Sequence, residues 1–141
     1  MTSKPDIDAA AAMRILIVDD ERENRDLLEI FLGSEGCLLL TAASGEEALA
    51  MVAEEPPHLI LLDVMMPGLS GYQVAAKIKS DPATRSIHVV MLTAMDDRSS
   101  RMLGQSAGAD DFLTKPVDRT ELRARVRSLL RLTSAPSSEA R

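Results

Sequence analysis

Five short apolar runs alternate with five amphipathic stretches along this chain, and that alternation leaves few folds open. Met13–Val18 (MRILIV) is a nearly continuous apolar run, as in a strand covered on both faces. Glu21–Leu32 follows, with Leu27, Leu28, Phe31 and Leu32 at helical spacing, and Gly33 and Gly36 stop it. Cys37–Thr41 is the second strand. Ser44 opens the next helix with Glu47 three residues on, a capping-box pattern, and Pro56-Pro57 end it after about Glu54. His58–Leu62 (HLILL) is the most apolar strand. Tyr72–Lys79 is a helix with Val74, Ala75 and Ile78 on one face, and Ile87–Leu92 (IHVVML) is the fourth strand. Asp96–Ala107 is a helix ended by Gly108, Asp111–Thr114 the fifth strand, and Val117–Leu132 the last helix. Strict alternation implies right-handed crossovers and a parallel sheet with helices on both faces. The expected class is therefore α/β, a five-stranded parallel sheet doubly wound as (βα)5.

A chain of 141 residues fits one domain. The patterned part spans 13–132, and 1–12 and 133–141 read as tails, the second also as the start of a linker. A lone cysteine, Cys37, forms no internal disulfide, and with two separated histidines, His58 and His88, it makes no zinc pattern. Both histidines lie in strand contexts and read as structural. Asp6 and Asp8 sit where a signal peptide would be apolar, and no run approaches membrane-spanning length, so a cytoplasmic protein without membrane contact is expected. The net charge of −6 and only three aromatics, Phe31, Tyr72 and Phe112, argue against direct nucleic-acid binding.

In a doubly wound sheet, ligands bind beyond the carboxyl ends of the strands. Asp19-Asp20 follow the first strand, Asp63 the third, Thr93-Ala94 the fourth and Lys115-Pro116 the fifth. Three carboxylates, a hydroxyl and an ammonium are thus expected at one edge. Carboxylates crowded together repel unless a cation neutralises them. Oxygen-only ligands select a hard cation, with Mg²⁺ the natural candidate, and the set suits phosphoryl handling. Asp19-Asp20 alone would serve equally well as a helix cap. Asp63 interrupts an otherwise buried stretch and is harder to explain structurally.

The blocks ILIVDDE, LILLDVMMPGLSGY, VVMLTA and GADDFLTKP resemble the signature blocks of the response-regulator receiver domain, over about residues 13–132. The resemblance implies a flavodoxin-like fold with strand order 2-1-3-4-5. It implies that Asp63 is the phosphoacceptor, with Thr93 and Lys115 contacting the phosphoryl oxygens. Asp20, Asp63 and the Met65 backbone carbonyl would bind Mg²⁺ (or Mn²⁺), and Asp19 would hold it through water. Thr93 and Phe112 would be the switch, and Pro116 would follow a cis peptide that places Lys115. A histidine kinase or histidine phosphotransfer protein would donate the phosphoryl group. The face of the fourth helix, fifth strand and fifth helix would then control a partner or output domain. Such a protein catalyses only its own phosphorylation and dephosphorylation and is no turnover enzyme. Arg119, Arg123, Arg127 and Arg131 recur every four residues, and with Asp96, Asp97, Asp110 and Asp111 they suggest a phosphorylation-favoured homodimer through that face. The alternative is a receiver-like interaction module that works without phosphate. An enzyme of another kind lacks support, because neither GxxxxGK[ST] nor GxGxxG occurs.

Overall fold

A computed structural model describes residues 13–94 and 98–139. Its strands are β1 (Arg14–Val18), β2 (Leu38–Ala42), β3 (Leu59–Asp63), β4 (His88–Thr93) and β5 (Asp111–Thr114). Its helices are α1 (Arg22–Leu32), α2 (Gly45–Glu54), α3 (Gly71–Ser80), α4 (Arg98–Ala107) and α5 (Arg119–Glu139). The strands form one sheet in the order β2-β1-β3-β4-β5. Every pairing is parallel. This is the expected flavodoxin-like arrangement.

The period of two along each strand divides the core into two layers. Ile15 and Ile17 of β1, Leu59 and Leu61 of β3, and Val90 and Leu92 of β4 face one side. There they meet Leu28 and Leu32 of α1 and Leu122 and Val126 of α5. Leu16, Val18, Ile60, Leu62, Val89 and Met91 face the other side, against Ala48 and Val52 of α2 and Val74, Ala75 and Ile78 of α3. Each fully buried aliphatic side chain contributes on the order of 1.5–3 kcal/mol, so the two layers together hold the sheet.

The caps differ in detail from the sequence expectation. Ser44 Oγ accepts from the Glu47 N–H at 3.1 Å, but Glu47 Oε1 accepts from Ala43 N–H, one residue before the cap. The complete capping box is at α3, where Ser70 Oγ accepts from Gln73 N–H and Gln73 Oε1 from Ser70 N–H. That box starts α3 at Gly71 rather than Tyr72. The Asp118 carboxylate accepts from Glu121 N–H at 2.8 Å, which starts α5 after Val117. At its other end α5 continues to Glu139, which corrects the tail expected from 133. The Thr133 hydroxyl donates to the Leu129 carbonyl, one helical turn back. That stretch includes Pro136, which disfavours a helix interior, so its composition pointed to an end where the helix instead continues.

Candidate functional site

The carboxyl ends of β1, β3, β4 and β5 bring together the residues that the sequence placed there. Asp19 lies just past β1 and is fully buried. Each of its polar atoms has a partner. Its N–H donates to the Ala42 carbonyl, and its carbonyl accepts from Arg25 Nη1 at 2.8 Å. Its Oδ1 accepts from Glu21 N–H at 2.9 Å, and its Oδ2 stands 3.2 Å from Lys115 Nζ. The N-cap of α1 is Glu21, so Asp19 closes the turn before the helix rather than capping it. Asp20 is exposed.

Asp63 ends β3 with its side chain 7% exposed and its Oδ1 2.9 Å from Lys115 Nζ. Gly71 holds the backbone here. A Cβ on Gly71 would stand 2.3 Å from the Asp63 carbonyl oxygen and 2.9 Å from Val64 Cα. Only a hydrogen fits against that strand end. Thr93 ends β4 and is buried, and its carbonyl accepts from Lys115 N–H at 2.7 Å. This bond carries β5 one residue past its end and brings the Lys115 ammonium between Asp19 and Asp63. The Lys115–Pro116 peptide is cis.

Burial pushes the Asp63 carboxyl above its ordinary value, more than the Lys115 hydrogen bond and charge pull it down, and the Asp19 and Asp20 charges push the same way as burial. Burial alone would lower the Lys115 ammonium, but the hydrogen bonds and charges of Asp63 and Asp19 outweigh it and hold it raised. The carboxylates of Asp19, Asp20 and Asp63 offer oxygens within 4.8 Å of one another. Three acids served by one ammonium leave a local surplus of negative charge. An all-oxygen donor set of that kind fits a hard divalent cation. A groove of about 340 Å³ beside the cluster is lined by Asn24, Leu27, Leu28, Leu92, Pro116 and Val117.

The residues expected at an interface are placed differently from one another. Asp96 and Asp97 lie outside the described residues. Asp110 Oδ2 binds Lys79 Nζ at 2.9 Å and the Val89 N–H at 2.7 Å. Asp111 takes both its carboxylate oxygens to Arg125 Nη1. Arg123 and Arg127 both close on Glu35, just past α1, at 2.7 Å. Arg119 is exposed. The four-residue repeat therefore does not run as one stripe facing β5. A step of four residues overshoots a helical turn by roughly 40°, so the arginines wind toward α1, and Arg125 between them reaches Asp111. Phe112 is half-buried, and a Cβ on Gly104 would stand 2.3 Å from its ring. The Arg101 guanidinium lies 5.8 Å from the ring centroid.

Sequence reasoning missed Gly71 and Arg25. Gly71 read as one more loop glycine in MMPGLSG. Arg25 read as part of the charged outer side of α1, and nothing in its spacing announces a reach back to the strand end.

A parallel sheet in this order carries acids just past β1 and at the end of β3, and a lysine just past β5, all at one edge. A family model of the response regulator receiver domain matches residues 15–127. The chain belongs to that family and is a receiver domain of two-component signalling. It is 54% identical over 118 residues to the response regulator PleD of Caulobacter vibrioides, a match covering 84% of this chain and 26% of PleD. To the phosphate regulon transcriptional regulatory protein PhoB of Pseudomonas aeruginosa it is 41% identical over 126 residues, covering 89% of this chain and 55% of PhoB. The signal receiver domain of a signal transduction histidine kinase from Syntrophus aciditrophicus superposes with a TM-score of 0.79 at 34% identity, over 84% of this chain and 90% of that one. The chain thus spans about a quarter to about half the length of these curated relatives.

Proposed function

We propose that this receiver takes a phosphoryl group onto Asp63 from the phosphohistidine of a histidine kinase or histidine phosphotransfer protein. The observation that carries this is the Asp63 carboxylate, nearly buried, with Lys115 Nζ 2.9 Å away and two further acids beside it. An Asp63 carboxylate oxygen attacks phosphorus, the P–N bond breaks, and the donor imidazole leaves with the electron pair and takes up a proton. The product is an aspartyl phosphate. Asp20, Asp63 and the Met65 backbone carbonyl would hold Mg²⁺ or Mn²⁺, with Asp19 reaching it through water. An ion held there would supply positive charge against the carboxylates and the phosphoryl oxygens. The Lys115 ammonium leaves Asp63 for the incoming oxygens, and the Thr93 hydroxyl contacts them as well. The apolar groove beside Pro116 and Val117 is the natural seat for the donor protein.

Thr93 moving inward vacates space that the Phe112 ring can take, and the α4-β5-α5 face changes shape to control a partner or output domain. Exposed Met102 and Leu103 on α4 support that face as a contact surface. The protein acts in the cytoplasm, away from membranes and without touching nucleic acid itself. Among the described residues no helix is long and apolar enough to cross a membrane. It performs only its own phosphorylation and dephosphorylation and turns over no free metabolite.

Incubation with a small phosphodonor and Mg²⁺ should add the mass of one phosphoryl group, and Asp63→Asn should abolish the gain. A parent protein that stays at its original mass would instead favour an interaction module that works without phosphate.

A further inference from the structure

Asp20 is the acid of the cluster with the least to hold it. Asp19 is bonded at every polar atom, and Asp63 is anchored by β3 and by Lys115. The exposed Asp20 carboxylate has no hydrogen-bond partner among the described residues. The backbone therefore fixes where that side chain starts and which rotamers bring it toward Asp63. Asp20 follows β1, which ends at Val18, so no strand pairing fixes it. Two bonds act on the peptides that flank it: the Glu21 N–H after it donates to Asp19 Oδ1 at 2.9 Å, and Arg25 grips the one before it. The carbonyl of Asp19 belongs to the planar unit that carries the Asp20 nitrogen and Cα. That carbonyl accepts from Arg25 Nη1 at 2.8 Å, while the Asp19 N–H on the other side donates to Ala42 at 3.2 Å. Arg25 itself is half-buried in the first turns of α1, where its own N–H bonds the Glu21 carbonyl.

We propose that Arg25 is a positioning residue for the divalent cation: by gripping the Asp19 carbonyl it fixes the peptide plane that aims the Asp20 carboxylate at Asp63. Arg25 does not touch the ion and supplies no ligand. It shares the positioning of Asp20 with the Glu21 N–H, which donates to Asp19 Oδ1 at 2.9 Å and holds the peptide on the other side of Asp20, as outer partners of metal ligands do elsewhere. Its charge works the other way, because a guanidinium near three carboxylates opposes the approach of a cation. Geometry and charge therefore make opposite forecasts for its removal. This proposal rests on the metal reading given above.

Titration calorimetry of the full chain with Mg²⁺ separates the two. Arg25→Met keeps the stem and removes the donors, and it should weaken Mg²⁺ binding by roughly tenfold. Arg25→Lys returns one donor and should recover part of that loss. Melting of the metal-free variants reads folding separately, and a purely structural role would lower the melting temperature without moving the Mg²⁺ affinity. Affinity within twofold of the parent, or tighter, in Arg25→Met overturns the proposal. If Arg25→Met does not fold, Arg25→Gln, too short to keep the grip, is read in its place against the same limits. A parent chain that takes up no Mg²⁺ overturns the metal reading itself, and this proposal with it.

Discussion

Position 71 shows how little room surrounds Asp63, the phosphoacceptor we propose. With a Cβ 2.3 Å from the Asp63 carbonyl oxygen, any side chain there must push backbone rather than a flexible tip. Gly71→Ala should cost about 1–3 kcal/mol of stability, the usual range for overpacking, and should shift Asp63. Displacing a reacting group by a fraction of an ångström slows chemistry severely, so phosphoryl uptake should fall by roughly tenfold or more. Denaturant unfolding and the rate of mass gain measure the two effects. An alanine variant phosphorylated at the parent rate would show that the strand end gives way freely. Asp63, Thr93 and Lys115 were legible in the sequence because each ends an apolar run with a polar residue. Gly71 was not, because a glycine in a loop looks the same whether or not a backbone presses against it. Arg25 was hidden for a related reason: a charged residue on an exposed helix side reads as solvated.

Between elements, the Glu35 clasp ties the end of α1 to α5. Glu35 is 6% exposed at its side chain and receives both Arg123 and Arg127. The Arg127 hydrogen bond holds its carboxyl below the ordinary value, and Arg123 adds to this against the opposing effect of burial. A carboxyl depressed on folding lends stability that is present above its ordinary value and lost as pH falls through the depressed one. Glu35→Gln should therefore melt lower than the parent by roughly 5 °C at neutral pH, with a gap that closes as the pH drops below the usual carboxylate range. A gap of the same size at acidic pH would remove the clasp from the account. Ten elements were legible from periodicity, with ends shifted by a residue or two. The exceptions have physical causes. The true capping box at Ser70 lay inside a stretch read as loop, and α5 carried on through a stretch whose Pro136 argued for a stop. The arginine repeat was visible, but its partners were not, because a four-residue spacing does not say how the helix is turned about its axis.

For the molecule as a whole, the two faces of the sheet divide the work. One layer joins α1 to α5, and the other leaves α4 beside β5 with Met102 57% and Leu103 56% exposed. Apolar side chains at that level of exposure suit contact with a second copy. Beryllofluoride with Mg²⁺ should about double the mass seen by light scattering, and an unchanged mass would leave this receiver a monomer in both states. Asp110, Asp111 and Arg123 are already tied within the chain, so we expect any such contact on the α4 side rather than on the arginine repeat. Lys115 adds a consequence in time. It meets Asp63 across 52 residues of chain and Asp19 across 96. A chain growing from its amino end carries all three acids long before it carries their ammonium. β5 pairs only with β4, and Lys115 reaches the site only once β5 has joined the sheet. Pairings so distant in sequence form late. A nascent or half-folded receiver therefore holds its acids without their ammonium, and the complete cluster arrives together with the last strand.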